Sequence, residues 1–182
     1  MKLIIKKKMT NKIFLIGPMG VGKTTVGKVL SNNLDYHFFD IDDKNYWKNR
    51  YKVDRHLLYM MNRDKYHDIE SEILKDYSTK NNKNSIISTG GSTVLRLENK
   101  NLMKSSGRVV YLEGNSKTLD DRMKNHNDGP MKNWYNASRF TLSVRETFLN
   151  ERKPYYKFAD LEIDTNDKSV EEICHDIESW IC

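Results

Sequence analysis

Residues 17–24, Gly17-Pro-Met-Gly-Val-Gly22-Lys23-Thr24, satisfy G-x-x-x-x-G-K-[ST] in full. No other stretch restricts the possible folds of this chain as much. Just before it, Ile13-Phe-Leu-Ile-Gly17 is a short apolar run ending in glycine, the pattern of a buried strand. Just after it, Val26, Val29, Leu30 and Leu34 recur at helical spacing. A glycine-rich turn between a buried strand and a helix is the setting in which this pattern cradles phosphate. The glycines let backbone N–H groups face inward around the anion. Lys23 is placed to reach the β- and γ-phosphates, and the Thr24 hydroxyl to ligate Mg²⁺. The helix that begins there directs its positive end at the same anion. Gly20, Val21, Gly22, Lys23, Thr24 and Thr25 are therefore the expected nucleotide-binding residues, with ATP and Mg²⁺ as their partners. The alternative, a glycine turn without a ligand, does not explain the strand and helix on either side.

The rest of the chain alternates in the same way. Tyr36–Asp40 reads as a second strand, Ser85–Ser88 as a third, running into Gly90-Gly91, and Val109–Leu112 as a fourth, after Gly107. Leu161–Asp164 is a fifth. Helical patterns fill much of residues 41–80, then 116–124, Ala137–Arg152 and Val170–Ile181, the third expected to stop before Pro154. Residues 125–136 carry turn formers without apolar periodicity and read as a loop. Strands alternating with helices imply an α/β fold, a parallel sheet covered on both faces. One domain spans residues 1–182, with residues 1–11 as an N-terminal extension and Met9 a possible natural start.

A phosphate loop alone leaves the activity open. The chain lacks an Asn-Lys-x-Asp guanine motif, because Asn82-Lys83-Asn84-Ser85 does not satisfy it, and 182 residues leave no room for a motor's added elements. Small-molecule kinases remain. The 31 basic and 25 acidic residues give a net charge of +6, but the lysines are scattered among asparagines rather than set in arginine–aromatic stripes. That composition describes a solvated surface, with no nucleic-acid partner expected. Cys174 and Cys182 form no CxxC pair and fit a reducing cytoplasm. Leu3-Ile4-Ile5 is too short an apolar run to span or enter a membrane. A cytoplasmic monomer is expected.

On the acceptor side, Asp40-Ile-Asp42 falls at the carboxyl end of the second strand, beside the phosphate loop. One carboxylate there would orient Mg²⁺ through water, and the other would accept a hydrogen bond from a substrate hydroxyl and help remove its proton. The competing reading is an acidic helix start. Asp42 is the expected base.

With these residues in place, the chain from Lys12 to about Asp167 resembles the shikimate kinase family. Phe39-Asp40-Ile-Asp42 matches the family's F-x-D-x-D, and Ser88-Thr89-Gly90-Gly91 matches its substrate-facing turn. Asn150-Glu-Arg152-Lys-Pro154-Tyr-Tyr156 resembles its R-x-P-x-Y segment. The resemblance implies a five-stranded parallel sheet of order 2-3-1-4-5 and a mobile lid at residues 125–136. It implies phosphoryl transfer from ATP to the 3-hydroxyl of shikimate. By the same likeness Asp40 serves Mg²⁺, Asp42 holds the substrate hydroxyls, Arg122 packs on adenine and Arg152 anchors the substrate carboxylate.

Three positions depart from the family pattern. Its F-R-x-x-E is Tyr66-His67-Asp68-Ile69-Glu70 here, so His67 stands where a bidentate cation is expected. The third glycine of its turn is Ser92, a more restricted residue, and the lid's Arg-Pro is Gly129-Pro130. One reading has Arg63 and Lys132 supply the missing cations. The other has the pocket turned to a different small hydroxy acid or polyol, or the chain binding nucleotide without turnover.

Overall fold

The computed structural model describes residues 12–79, 84–124 and 142–181. The N-terminal extension, the lid with Gly129, Lys132, Trp134 and Tyr135, and Cys182 lie outside the described residues.

Five parallel strands form one sheet in the order β2-β3-β1-β4-β5, as expected. They are β1 (Lys12–Ile16), β2 (His37–Asp40), β3 (Ser85–Ser88), β4 (Arg108–Glu113) and β5 (Leu161–Asp164). Strand alternation explains why the central run is apolar throughout. Phe14 and Ile16 of β1 enter one core, while Ile13 and Leu15 enter the other. On the first face, α4 (Arg63–Thr79), α5 (Leu97–Ser106) and α7 (Leu142–Tyr156) contribute Ile69, Ile73, Met103 and Tyr156. On the second, α1 (Lys23–Leu34), α6 (Ser116–Lys124) and α8 (Val170–Ile181) contribute Val26, Leu30, Leu119, Ile173 and Ile177. Each fully buried Ile or Leu side chain is worth roughly 1.5–3 kcal/mol, so both layers are needed to hold the sheet.

The strand register sets the site. Asp40 pairs with Ser88, and Leu15 pairs with the same residue from the other side. The carboxyl ends of β1, β2 and β3 thus deliver the phosphate loop, Asp40 and the Gly90-Gly91 turn to one edge of the sheet.

The acceptor-side region is helical but broken into pieces. Asp43 caps a short α2 (Lys44–Tyr46), which continues as a π-turn over Trp47–Tyr51; Asp54 caps α3 (Arg55–Met61). Of the three aspartates in the acidic cluster, Asp43 is thus a plain helix start. Trp47 fixes the region to the sheet. Its ring is fully buried and stacked on Tyr66 at 5.1 Å, and its Nε1–H donates to the Ile41 carbonyl at 2.7 Å. Tyr46, Tyr51 and Tyr59 pack against neighbouring rings, as their helical spacing predicts.

Two elements differ from the sequence reading. Helix α7 does not stop before Pro154; it continues to Tyr156 with the proline inside its last turn. The missing N–H costs a single bond there. Tyr156 offsets it by stacking on Tyr111 at 4.6 Å and donating its hydroxyl to the Gly91 carbonyl at 3.2 Å. Helix α5, preceded by a 3₁₀ turn at Thr93–Leu95, occupies a stretch where the sequence marks no element. Only Asn99 and Met103 of that helix are buried, so its apolar stripe is too thin to read.

Candidate active site

The phosphate loop begins at the end of β1 and closes onto α1. Gly22 caps the helix at φ 101°, a conformation that side chains rarely adopt, and a Cβ built there would meet nothing within 4 Å. The loop is open at Gly22, whereas Gly17 and Gly20 pack closely, a Cβ there standing 2.4 Å from the Leu112 carbonyl oxygen and 2.9 Å from Met123 Cγ. Lys23 is buried, and its ammonium donates to the Gly17 and Pro18 carbonyls, each at 2.8 Å. Burial lowers its pKa to about 8, against the opposing pull of Asp42, Asp40 and Glu70. The Thr24 hydroxyl donates to Asp40 Oδ2 at 2.7 Å. Burial raises the Asp40 pKa and the nearby Asp42 charge adds to it, while Thr24, the Asp42 N–H and Lys23 oppose the shift. A hydroxyl and a carboxylate this close suit a hard divalent cation that takes its remaining ligands from phosphate and water.

Arg122 ties the loop to the residue that follows the edge strand β5. Its guanidinium donates to the Val21 carbonyl at 3.2 Å, the Thr165 hydroxyl at 3.0 Å and the Thr165 carbonyl at 2.7 Å. It thus stands beside the phosphate loop.

The acceptor side is built around a buried carboxylate that the sequence reading quoted without a role. Glu70, 1% exposed, accepts from Thr93 Oγ1 at 2.6 Å and from Ser92 Oγ at 3.2 Å, and His67 Nδ1 lies 3.2 Å away. Its signal in the sequence was an acid on the apolar face of α4, one turn after Tyr66 and among Ile69, Ile73 and Leu74. Gly90 passes so close that an added Cβ would stand 2.2 Å from Glu70 Oε1 and 3.4 Å from Asp42 Oδ1. Ser92 adopts φ −98°, ψ −11°, ordinary helical space, so the serine imposes no backbone strain here.

Asp42 does not stand free. Its backbone N–H donates to Asp40 Oδ1 at 2.8 Å, and its Oδ1 lies 2.6 Å from Nη1 of Arg55, a residue for which the sequence reading gave no role. Arg55 has no motif around it. It becomes visible only when the first turn of α3 is placed against the end of β2. His67, by contrast, turns its Nδ1 toward Glu70 and packs its ring edge against Tyr59 and Tyr66. The Arg63 guanidinium lies over the Tyr59 ring at 5.1 Å.

Arg152 joins the two sides. It donates to the Gly91 carbonyl at 2.9 Å and packs over the Phe148 ring at 4.0 Å. A Cβ on Gly91 would meet the Met19 amide at 3.6 Å and the Gly17 carbonyl at 3.9 Å, so the Gly90-Gly91 turn lies alongside the phosphate loop with room for about one carbon between them. Lys23, Thr24, Asp40, Asp42, Gly90, Gly91 and Arg152 are thereby brought together at the carboxyl ends of β1, β2 and β3. Away from it, Cys174 is buried and its thiol pKa is pushed up to about 11 by burial, while His175 is exposed. Among the described residues, no helix is long and apolar enough to cross a membrane.

A family model described as shikimate kinase matches residues 19–182. The chain belongs to the shikimate kinase family. Its relatives include the shikimate kinase of Dehalococcoides mccartyi, 34% identical over 172 residues that cover 94% of this chain and 93% of that protein. The shikimate kinase of Bacillus mycoides is 33% identical over 169 residues, covering 93% and 97%. Among solved structures, shikimate kinase from Aquifex aeolicus superposes with a TM-score of 0.74 at 29% identity, covering 93% of this chain and 95% of that one. The fold is also that of shikimate kinase from Acinetobacter baumannii in complex with shikimate, with a TM-score of 0.78 at 24% identity over 93% and 92% of the two chains.

Proposed function

We propose that this protein is an ATP-dependent kinase that transfers the γ-phosphoryl group of ATP to the 3-hydroxyl of shikimate, as a cytoplasmic monomer in aromatic amino-acid biosynthesis. The observation that carries this reading is the closeness of the Gly91 turn to the phosphate loop, with Arg152 held on the Gly91 carbonyl. One cleft then holds a phosphate cradle, a hydroxyl-binding carboxylate and an anion-binding guanidinium.

In this reading the acceptor hydroxyl oxygen forms its bond to the γ-phosphorus as the bond to the bridging oxygen of ADP breaks. Asp42, one-third accessible, orients that hydroxyl and takes its proton. Lys23 leaves the Gly17 and Pro18 carbonyls for the phosphates and follows the negative charge as it moves toward ADP. Thr24 and Asp40 would hold Mg²⁺, which would supply charge neutralisation at the phosphate oxygens. Arg122 lies beside the nucleotide, and Arg152 pairs with the acceptor's carboxylate near the transferring phosphate. Glu70 positions the Gly90 turn and keeps the wall of the pocket fixed. Catalysis is chiefly orientation and electrostatics.

An ADP-release assay with ATP, Mg²⁺ and millimolar shikimate, run beside Lys23→Ala, tests the proposal. Release should require shikimate and should disappear in the variant. ATP binding without shikimate-dependent release would overturn the reading and point to another hydroxy acid or polyol, or to nucleotide binding without turnover.

A further inference from the structure

Among the described residues, the buried side-chain polar atoms without a hydrogen bond are Asp42 Oδ1, Arg55 Nε and the Tyr51 hydroxyl. Two of these three belong to a single ion pair in the acceptor cleft. Arg55 Nη1 approaches Asp42 Oδ1 to 2.6 Å and donates to the Asp42 carbonyl at 3.1 Å, yet the Asp42 carboxylate oxygen gains no aligned hydrogen bond. The charges meet, but the directions do not. A buried donor and a buried acceptor, each without an aligned hydrogen bond, are left side by side. Burial disfavours the Arg55 charge, but Asp42, Tyr66, Asp40 and Glu70 outweigh that and raise its pKa, so the cation is fixed.

The neighbouring acid does not need that cation. Glu70 is already served by the Thr93 and Ser92 hydroxyls and by His67. His67, turned to Glu70, is in turn not available as an anion fork. Arg63 is engaged over Tyr59. Arg55, with a side chain only 15% exposed, is the guanidinium that stands against Asp42.

We propose that Arg55 determines the acceptor class: its unused Nε edge is a second guanidinium for the substrate's carboxylate, in addition to Arg152, while the adjacent Asp42 receives the substrate's hydroxyl. A hydroxy acid supplies both missing partners at once, an anionic acceptor for Nε and an O–H donor for Oδ1. Planar guanidinium matches a carboxylate through paired N–H groups in a way that an ammonium or imidazole does not. This inference rests on the kinase reading and goes beyond it, because it places acid recognition on the first turn of α3 rather than at position 67.

The test compares two acceptors, shikimate and its carboxamide, which keeps the hydroxyls and lacks the charge. The wild-type protein should prefer the acid, and Arg55→Gln, which also takes the cation from Asp42, should cut kcat/KM for the acid by at least about 30-fold more than for the carboxamide. Arg55→Lys should recover part of the preference, and the KM for ATP should stay within about threefold in both variants. If Arg55→Gln melts below the assay temperature, Arg55→Lys carries the test, since it keeps the charge and loses the fork. Equal losses for the two acceptors would overturn the proposal and leave Arg55 as a positioning residue for Asp42. A wild-type protein that phosphorylates both equally would also overturn it, with the kinase reading intact. Turnover of neither acceptor would remove the shikimate reading and this inference together.

Discussion

The two halves of the cleft are made of different material. The nucleotide half is mostly backbone, a glycine turn between β1 and α1 in which Lys23 is held by the carbonyls of its own loop. The acceptor half is side chain against side chain. Asp42 meets Arg55 across 13 positions, Glu70 meets Thr93 across 23, and Arg152 reaches Gly91 across 61. Local backbone geometry is written in a short motif, so it survives wherever the motif survives. A pocket assembled from distant side chains can change one member and be re-satisfied by another. The departures from the family pattern among the described residues, His67 and Ser92, both fall in the second half, and both now serve Glu70.

If this contrast is right, damage to the nucleotide half should be total and damage to the acceptor half graded. Lys23→Ala should reduce turnover by at least about a thousandfold, since Lys23 is the cation that the phosphate loop itself holds for the transferring phosphoryl group. Steady-state kinetics at saturating acceptor reads it. Arg152→Ala should raise the acceptor KM by about 100-fold while leaving the ATP KM within about threefold. A rise in both by the same factor would mean that Arg152 chiefly braces the Gly91 turn.

Gly90→Ala should push Glu70 aside and cost about 1–3 kcal/mol in stability, measured by urea titration, because the new Cβ meets a buried carboxylate oxygen. An unchanged midpoint would show that the Glu70 cluster is softer than its hydrogen bonds indicate.

The nucleotide half also predicts a pH signature. Free Lys23 titrates at about 8 because burial outweighs the nearby acids, and bound phosphates should restore its charge. Between pH 8 and about 10, ATP binding should therefore take up a proton, and affinity should fall by up to about tenfold per pH unit. Below about pH 7 the lysine is already protonated in the free protein, and this group should contribute no uptake. Calorimetry in buffers of different ionisation enthalpy measures the proton count. The smallest effect belongs to Ser92→Gly, which removes one longer hydrogen bond to Glu70 without relieving strain; about 1 kcal/mol or less is expected in the same urea titration.

The fold was legible because its signals are periodic and local. Ser85–Ser88, Leu161–Asp164, Ser116–Lys124 and Val170–Ile181 stand where spacing places them. Pro154 misled, since a local steric rule carries no knowledge of the Tyr156–Tyr111 stack that holds the last turn of α7. In the site, Gly17–Thr24 and the Asp40/Asp42 pair were readable from motif and strand end. Glu70 left a trace as an acid within an apolar stripe. Arg55 left none, because its partner is set by how α3 folds back on β2, a long-range fact that no window around residue 55 contains.

The most direct test of the account is a calorimetric titration of shikimate into the ADP-bound wild-type protein. The account predicts saturable one-to-one binding with a Kd no weaker than about a millimolar. That result would mean that the rearranged acceptor half still recognises its acid. Tight ADP binding followed by no heat of shikimate binding would contradict the account, because it would leave a working nucleotide half beside an acceptor half that no longer serves the family's substrate.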